Sequence, residues 1–357
     1  MKCKVCEFEY SGYQCPHCGF VTLNMVPGTP QYIVDTYQQE LAKAKADWER
    51  AKASHSEQRE EEKEVMSDDK YSLSWGTNHP GHLVYLIDLS GSMERDGKFE
   101  MVKEVIQEVS NFLVGMSKQI VRENGQTKQS IKDRFTVKIL AYNSKMIKLF
   151  EGSVIDLNKK LKEAKEAKKQ NLTKEDFPLL SVFNPDAKPS SMTYTEMAFK
   201  AAKADILQWI ALQTENKMPI PAPIVIHITD GHPEEQNVDE PISMKNALDV
   251  AKEIKQINVP DGNVLLFNIH ITGKSQTDTL RFPITEPSDP RLKFLYDASS
   301  PLSNTFCERA QSIGLEAKPG CRFMVSNESE KDLLARLIKF GSSLSSYGIG
   351  NPPPKYD

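Results

Sequence analysis

Between about His79 and Ser345 the apolar positions follow two alternating rhythms. His82–Leu89 (HLVYLIDL), Ile224–Ile228 and Val264–Ile271 are nearly continuous apolar runs of strand length. Strands buried on both faces of a parallel sheet have this pattern. Elsewhere the spacing changes to threes and fours. Met101, Val105, Val109, Phe112 and Met116 share one face of a helix predicted over Lys98–Ile120. The same reading predicts helices over Asp156–Lys169, Glu196–Leu212, Met244–Ile257, Leu302–Ile313 and Glu328–Ser343. It predicts further strands over Phe135–Tyr142, Met146–Phe150 and Arg322–Val325, with a hairpin-like turn at Asn143-Ser144. Such alternation implies an α/β fold, a doubly wound and mostly parallel sheet with helices on both faces. Asn171–Ser191 reads as a long loop, and loops of that length are often functional.

Upstream, residues 29–67 contain no Gly and are rich in Ala, Lys, Glu and Gln. They predict a long helix, with Thr29 as N-cap and Pro30 in the first turn, where a missing N–H costs nothing. Ile33, Tyr37, Leu41, Ala44, Trp48 and Ala51 form a stripe too short for a sustained coiled coil. The expectation is a linker helix lying back on the main domain. The domain limits are then 1–22 for a cysteine module, 29–67 for the helix, 79–345 for the α/β domain and 346–357 for a loose tail.

Four of six cysteines crowd the start as Cys3-x₂-Cys6 and Cys15-x₂-Cys18. Two such knuckles bring four thiolates to one point, a closed tetrahedral Zn²⁺ site resembling a small zinc ribbon. His17 is not expected to be a ligand. Glu7 and Glu9 flank the module, and the stapling of a segment too short to fold alone is the favoured reading over nucleic-acid binding. Cys307 and Cys321 are expected to lie buried as small apolar groups. The first residues carry no apolar run of signal-peptide length, and no stretch approaches the roughly 20 apolar residues of a membrane span. With metal-type cysteine spacing, this places the protein in the cytoplasm. The formal net charge of −4 gives no general attraction to nucleic acid or anionic membrane. The lysines at 159, 160, 162, 165, 168 and 169 are read as a solvated helix face.

The chemistry gathers at strand ends. The first strand runs into Asp88-Leu89-Ser90-Gly91-Ser92, and the Ile224–Ile228 strand into Thr229-Asp230-Gly231. Met192-Thr193-Tyr194-Thr195-Glu196 opens a helix that must start at the same sheet edge. In DxSxS, residues two apart aim the same way. Hydroxyls and carboxylates from three loops make an all-oxygen set suited to Mg²⁺ or Mn²⁺. His227 and His270 read as satisfied core histidines. His232 lies beside the loop, with Glu234 and Glu235 near its rim.

DLSGS after an apolar strand, a Thr heading TYTEMA, and ITDG after a later strand together resemble the von Willebrand factor A (VWA) domain and its metal ion-dependent adhesion site. The resemblance covers roughly residues 80–345. It implies that Ser90, Ser92 and Thr193 coordinate the metal through hydroxyls and that Asp88 and Asp230 hold it largely through water. A sixth position is left to a carboxylate of a partner protein. It also implies one antiparallel edge strand, supplied by Met146–Phe150. The sequence departs from the family at Ser191-Met192, where a Gly pair is common. Phe282–Ser303 resembles the corresponding region of bacterial cytoplasmic members, some of them components of systems with kinases and phosphatases. The expected function is therefore a non-enzymatic, metal-dependent protein-interaction module. The alternatives are an Mg²⁺-dependent phosphohydrolase with Asp88 as nucleophile, which the Ser at position 90 disfavours, and nucleic-acid binding through the cysteine module.

Overall fold

The computed structural model describes residues 70–343, except 124–125, 171–186 and 274–278, together with residues 2–7, 9, 11, 15, 20–21, 30–31, 33–47 and 49. The expected tail, most of the Asn171–Ser191 loop, Cys18 and the second half of the linker helix lie outside the described residues. The chain divides into two compact units, Met1–Glu64 and Val65–Asp357.

The second unit is built on a seven-stranded sheet. In chain order its strands are β1 (Gly81–Asp88), β4 (Phe135–Tyr142), β5 (Met146–Ser153), β6 (Ile224–Thr229), β9 (Leu265–Ile271), β10 (Leu280–Arg281) and β11 (Met324–Glu328). The spatial order is β10-β11-β9-β6-β1-β4-β5. The five inner strands are parallel, while β5 and β10 close the two edges antiparallel. The edge strand expected at Met146–Phe150 is β5. The two-residue β10 is too short to leave a sequence pattern.

The uninterrupted apolar runs follow from burial on both faces: every residue of β1 and of β6 is buried. Alternate side chains feed two cores. Leu83, Tyr85 and Ile87 pack with helices α1 (Lys98–Met116), α2 (Val154–Gln170), α6 (Asn304–Ser312) and α7 (Lys331–Ser343). Val84 and Leu86 pack with α3 (Thr195–Glu215), α4 (Glu240–Gln256) and α5 (Pro290–Ala298). From β1 the chain winds first to β4 on one side and later to β6 on the other. The crevice at the carboxyl ends of β1 and β6 is thus the switch point, where doubly wound sheets take their ligands.

The helix expected over Lys98–Ile120 stops at Met116. Residues Lys118–Glu123 (β2) and Gln126–Ile131 (β3) instead pair as a separate antiparallel hairpin. The Asn-Gly pair at 124–125 is a hairpin signal that the helical periodicity obscured. Two further residues, Asn258–Val259 (β7), pair with Gly262–Asn263 (β8). The body also includes residues upstream of His79. Trp75 lies 5.5 Å from Phe135, and Tyr71 lies 5.3 Å from Phe306. Gly81 is required there, since a Cβ would sit 2.1 Å from the Trp75 ring.

In the first unit, the helical run over 33–47 covers the cysteine module. Tyr37 is buried and sits 5.9 Å from Phe20, while Leu41 and Ala44 pack on Cys3, Val5 and Cys15. Within this unit, Leu41 and Ala44 of the apolar stripe thus cover the cysteine cluster.

One buried polar relay crosses the sheet. The Tyr142 hydroxyl donates to His227 Nε2 (2.6 Å), and His227 Nδ1 donates to Asn268 Oδ1 (2.9 Å). The Asn268 amide in turn donates to Ser299 Oγ (2.9 Å), and that bond fixes the His227 tautomer. Burial lowers the His227 pKa to about 4, so the ring is neutral. Its ordinary value of about 6.5 returns on unfolding. Above pH 6.5 neither state is protonated and stability is unaffected. Between pH 6.5 and 4 only the unfolded chain gains the proton, so stability falls as pH falls. Urea melts at pH 7.5 and 5.0 are expected to show wild type losing about 2 kcal/mol more than His227→Gln.

Candidate functional site

Three loops meet at the switch point, tied by their backbones. Ser190 N–H donates to Leu89 C=O (2.8 Å) and Gly91 N–H to Ser191 C=O (3.0 Å). Thr193 and Glu234 exchange backbone bonds of 3.0 and 3.1 Å. The Ser191-Met192 sequence is therefore accommodated in a paired loop, with Ser191 at φ 67°.

These ties bring the expected side chains together. Ser90 Oγ lies 3.0 Å from Ser92 Oγ and 3.5 Å from Asp230 Oδ1, and Ser92 Oγ donates to Asp230 Oδ1 at 2.8 Å. Asp88 stands behind them, fully buried, its Oδ1 accepting Ser90 N–H at 2.7 Å. Thr193 is buried on the third loop; a Cβ on Gly231 would lie 3.7 Å from its Oγ1. Ser92 is half-buried and gives the cluster its opening to the surface.

Burial pushes the Asp88 carboxyl up to about 6, against the pull of the Thr229 hydroxyl and the Ser90 N–H, and the nearby Asp230 adds to the rise. The protein thus supplies this carboxylate with hydrogen bonds but too little positive charge. An all-oxygen set of this kind, spaced about 3 Å apart, has the donor chemistry that could hold a hard divalent cation.

Four supporting residues were not assigned to the site from sequence. Thr229 Oγ1 donates to Asp88 Oδ2 (2.7 Å) and accepts Gly231 N–H (3.1 Å), locking the Asp230 turn. His270 bonds to the Asp230 backbone and accepts Asn327 N–H at Nδ1 (3.1 Å), and burial keeps its ring neutral. Lys98 Nζ forms an ion pair with Asp230 Oδ2. The Tyr142 hydroxyl comes close enough to Thr195 and Thr229 for hydrogen bonding. Of these, only Lys98 left a sequence clue, a cation at a helix start.

The expected core histidines His227 and His270 are satisfied as read. His232 pairs with Glu240 (3.4 Å) instead of turning to the site. Glu234 is exposed, and burial raises the pKa of Glu235, aided by Glu196. On α2, Lys159 and Lys160 pair with Asp156 and Glu163. Cys307 and Cys321 are both buried, sulfurs 3.8 Å apart.

In the first unit, the sulfurs of Cys3, Cys6 and Cys15 all lie within 4.8 Å of one another, with Cys6 and Cys15 at 3.6 Å. Cys3 Sγ also accepts Val5 N–H at 3.4 Å, as expected for a sulfur held in a knuckle. Tetrahedral coordination at about 2.3 Å separates thiolates by a little under 4 Å, so this triad could hold a metal ion. Cys18 lies outside the described residues.

No family model and no curated protein matches the sequence. Among solved structures, the chain is similar to the manganese-loaded TRAP protein of Plasmodium vivax (17% identity, 73% of this chain and 72% of that one, TM-score 0.36). It is similar to VWA2, an ArnB paralog of Sulfolobus acidocaldarius, at 14% identity over 54% of this chain, with TM-score 0.27. That match spans only 35% of the length of VWA2. It is also similar to BatB, a conserved hypothetical protein of Bacteroides thetaiotaomicron (12% identity, 75% and 100% coverage, TM-score 0.35). Likenesses this low decide nothing about the chemistry of the chain.

Thr229→Val keeps the shape of the side chain while leaving buried Asp88 Oδ2 without its donor. It is expected to destabilise the protein by about 1–3 kcal/mol, read as a lower urea midpoint at unchanged m-value.

Proposed function

We propose that the α/β unit is a VWA-type interaction module whose adhesion site is formed by Asp88, Ser90, Ser92, Thr193 and Asp230. The observation that carries this reading is the packing of the Ser90, Ser92 and Asp230 oxygens at 2.8–3.5 Å at the switch point. Neighbouring ligands of an octahedral Mg²⁺ with bonds of about 2.1 Å stand about 3 Å apart, which is the spacing of the Ser90 and Ser92 hydroxyls, and Asp230 Oδ1 stands beside both. In this reading Mg²⁺ or Mn²⁺ takes the three hydroxyls, and the two aspartates contribute through water. An Asp or Glu of a partner protein completes the shell. The protein works as a non-enzymatic component of a multi-protein assembly in the cytoplasm. No helix among the described residues is long and apolar enough to cross a membrane.

Asp88 is poorly placed as the nucleophile of a phosphohydrolase. Its side chain is fully buried, and its two oxygens already accept from Ser90 N–H and the Thr229 hydroxyl. For the cysteine module we propose one Zn²⁺ held by Cys3, Cys6, Cys15 and Cys18. It acts as a staple for a unit whose apolar core is otherwise small.

Three measurements test these assignments. Mn²⁺ at about 100 times its Kd is expected to stabilise wild type by about 2.7 kcal/mol, several degrees in Tm, and to leave Asp230→Ala unchanged. A protein partner retained from native lysate by wild type in Mg²⁺, and lost both in EDTA and with Ser92→Ala, is the expected result of the second. Equal retention in every sample sinks the adhesion-site reading. Separately, purified protein is expected to carry one zinc per chain by atomic absorption, absent from Cys15→Ser.

A further inference from the structure

Lys98 is placed where a cation is disfavoured twice. It is the first residue of α1, reached through Asp96 at φ 56° and Gly97 at φ 73°, the left-handed pair that turns the chain into the helix. The first turn of a helix carries partial positive charge and repels ammonium groups. The Lys98 side chain is also only 11% exposed, so it has given up most of its water. Its compensation is Asp230 Oδ2, on a side chain with no exposure at all. The other oxygen of that carboxylate is the one bonded by Ser92. One buried carboxylate is thus shared between a tethered ammonium and the hydroxyl cluster.

Among the described residues bonded into the cluster, Asp88 and Asp230 contribute two negative charges and Lys98 one positive. His232 pairs with Glu240 and does not turn to the cluster. Two carboxylates alone would neutralise a divalent ion. With Lys98 present, a bound ion leaves the site one charge positive, the deficit that a single external carboxylate fills.

Resting on the adhesion-site reading above, we propose that Lys98 is a tuning residue of the metal site. By occupying Asp230 it weakens the hold of the protein on the divalent ion, and it reserves the ion's remaining charge for an acidic partner. A purely structural ion pair would affect stability but not metal affinity.

The test is a titration with Mn²⁺ alone, following the free-ion signal by electron paramagnetic resonance. Wild type, Lys98→Met, Lys98→Arg and Asp230→Ala are compared. Lys98→Met removes the charge and keeps the apolar stem, and is expected to bind Mn²⁺ about tenfold more tightly or better, given the Coulomb energy of charges a few ångströms apart. Lys98→Arg is expected to stay near wild type. Melting in EDTA checks that each variant is folded, and Lys98→Gln replaces Lys98→Met if that variant is not. Mn²⁺ binding by wild type, with an equal or weaker affinity in folded Lys98→Met, overturns the tuning role while leaving the adhesion site intact. Absence of Mn²⁺ binding in wild type and Lys98→Met alike overturns both.

Discussion

A strand buried on both faces can place charged groups only at its ends, and this constraint organises the α/β unit. All eight residues of β1 are buried, with β4 and β6 alongside and helices above and below. The apolar run Leu83–Ile87 leaves no room for a charge until Asp88. The same holds for β6, which reaches its first carboxylate at Asp230, one residue beyond the strand. Parallel pairing then aligns the two ends, because Ile87 pairs with Ile228 across the β1–β6 ladder. The convergence of Asp88, Ser90, Ser92 and Asp230 follows from sheet packing before any ligand enters the argument.

This explains why so much was legible in the sequence. Continuous apolar runs marked β1, β6 and β9, and threefold and fourfold spacing marked the helices. The mostly parallel sheet and the edge on which the motifs meet followed from those two signals. The failures share a cause. The β2–β3 hairpin began where the stripe of α1 ended, so Ile120 read as a further helical position although Ser117 had already stopped the helix. The strands β7, β8 and β10 have two residues each, below the length at which any period can be seen.

At the site, the residues that face the cluster could be named and those that hold them could not. Ser90 and Ser92 lie two apart on one loop, a local relation. Thr229 meets Asp88, and Lys98 meets Asp230, across 141 and 132 residues. His270 reaches the same turn from β9 while Asn327 fixes its ring from β11. Such pairs depend on strand order, which the pattern of one chain does not specify. The cysteine module shows the same limit. The grouping of Cys3, Cys6 and Cys15 could be read from spacing, but the packing of Leu41 and Ala44 on that cluster could not.

The opposite end of β1 supplies an internal comparison. There Asp205 on α3 is largely withdrawn from water, and burial alone would raise its pKa. Bonds to His82 (2.8 Å) and to Lys138 instead hold it below the ordinary carboxylate value. The fold is thus able to bury a carboxylate beside this strand with matching charge when the role is structural. At Asp88 it does not. Hydrogen bonds from Thr229 and Ser90 fail to offset burial, and among the described residues the Lys98 ammonium is paired with Asp230. Leaving a buried carboxylate undercompensated costs stability, a cost that polar residues at functional sites commonly carry. At Asp88 the proposed cation would supply the charge that His82 and Lys138 supply at Asp205.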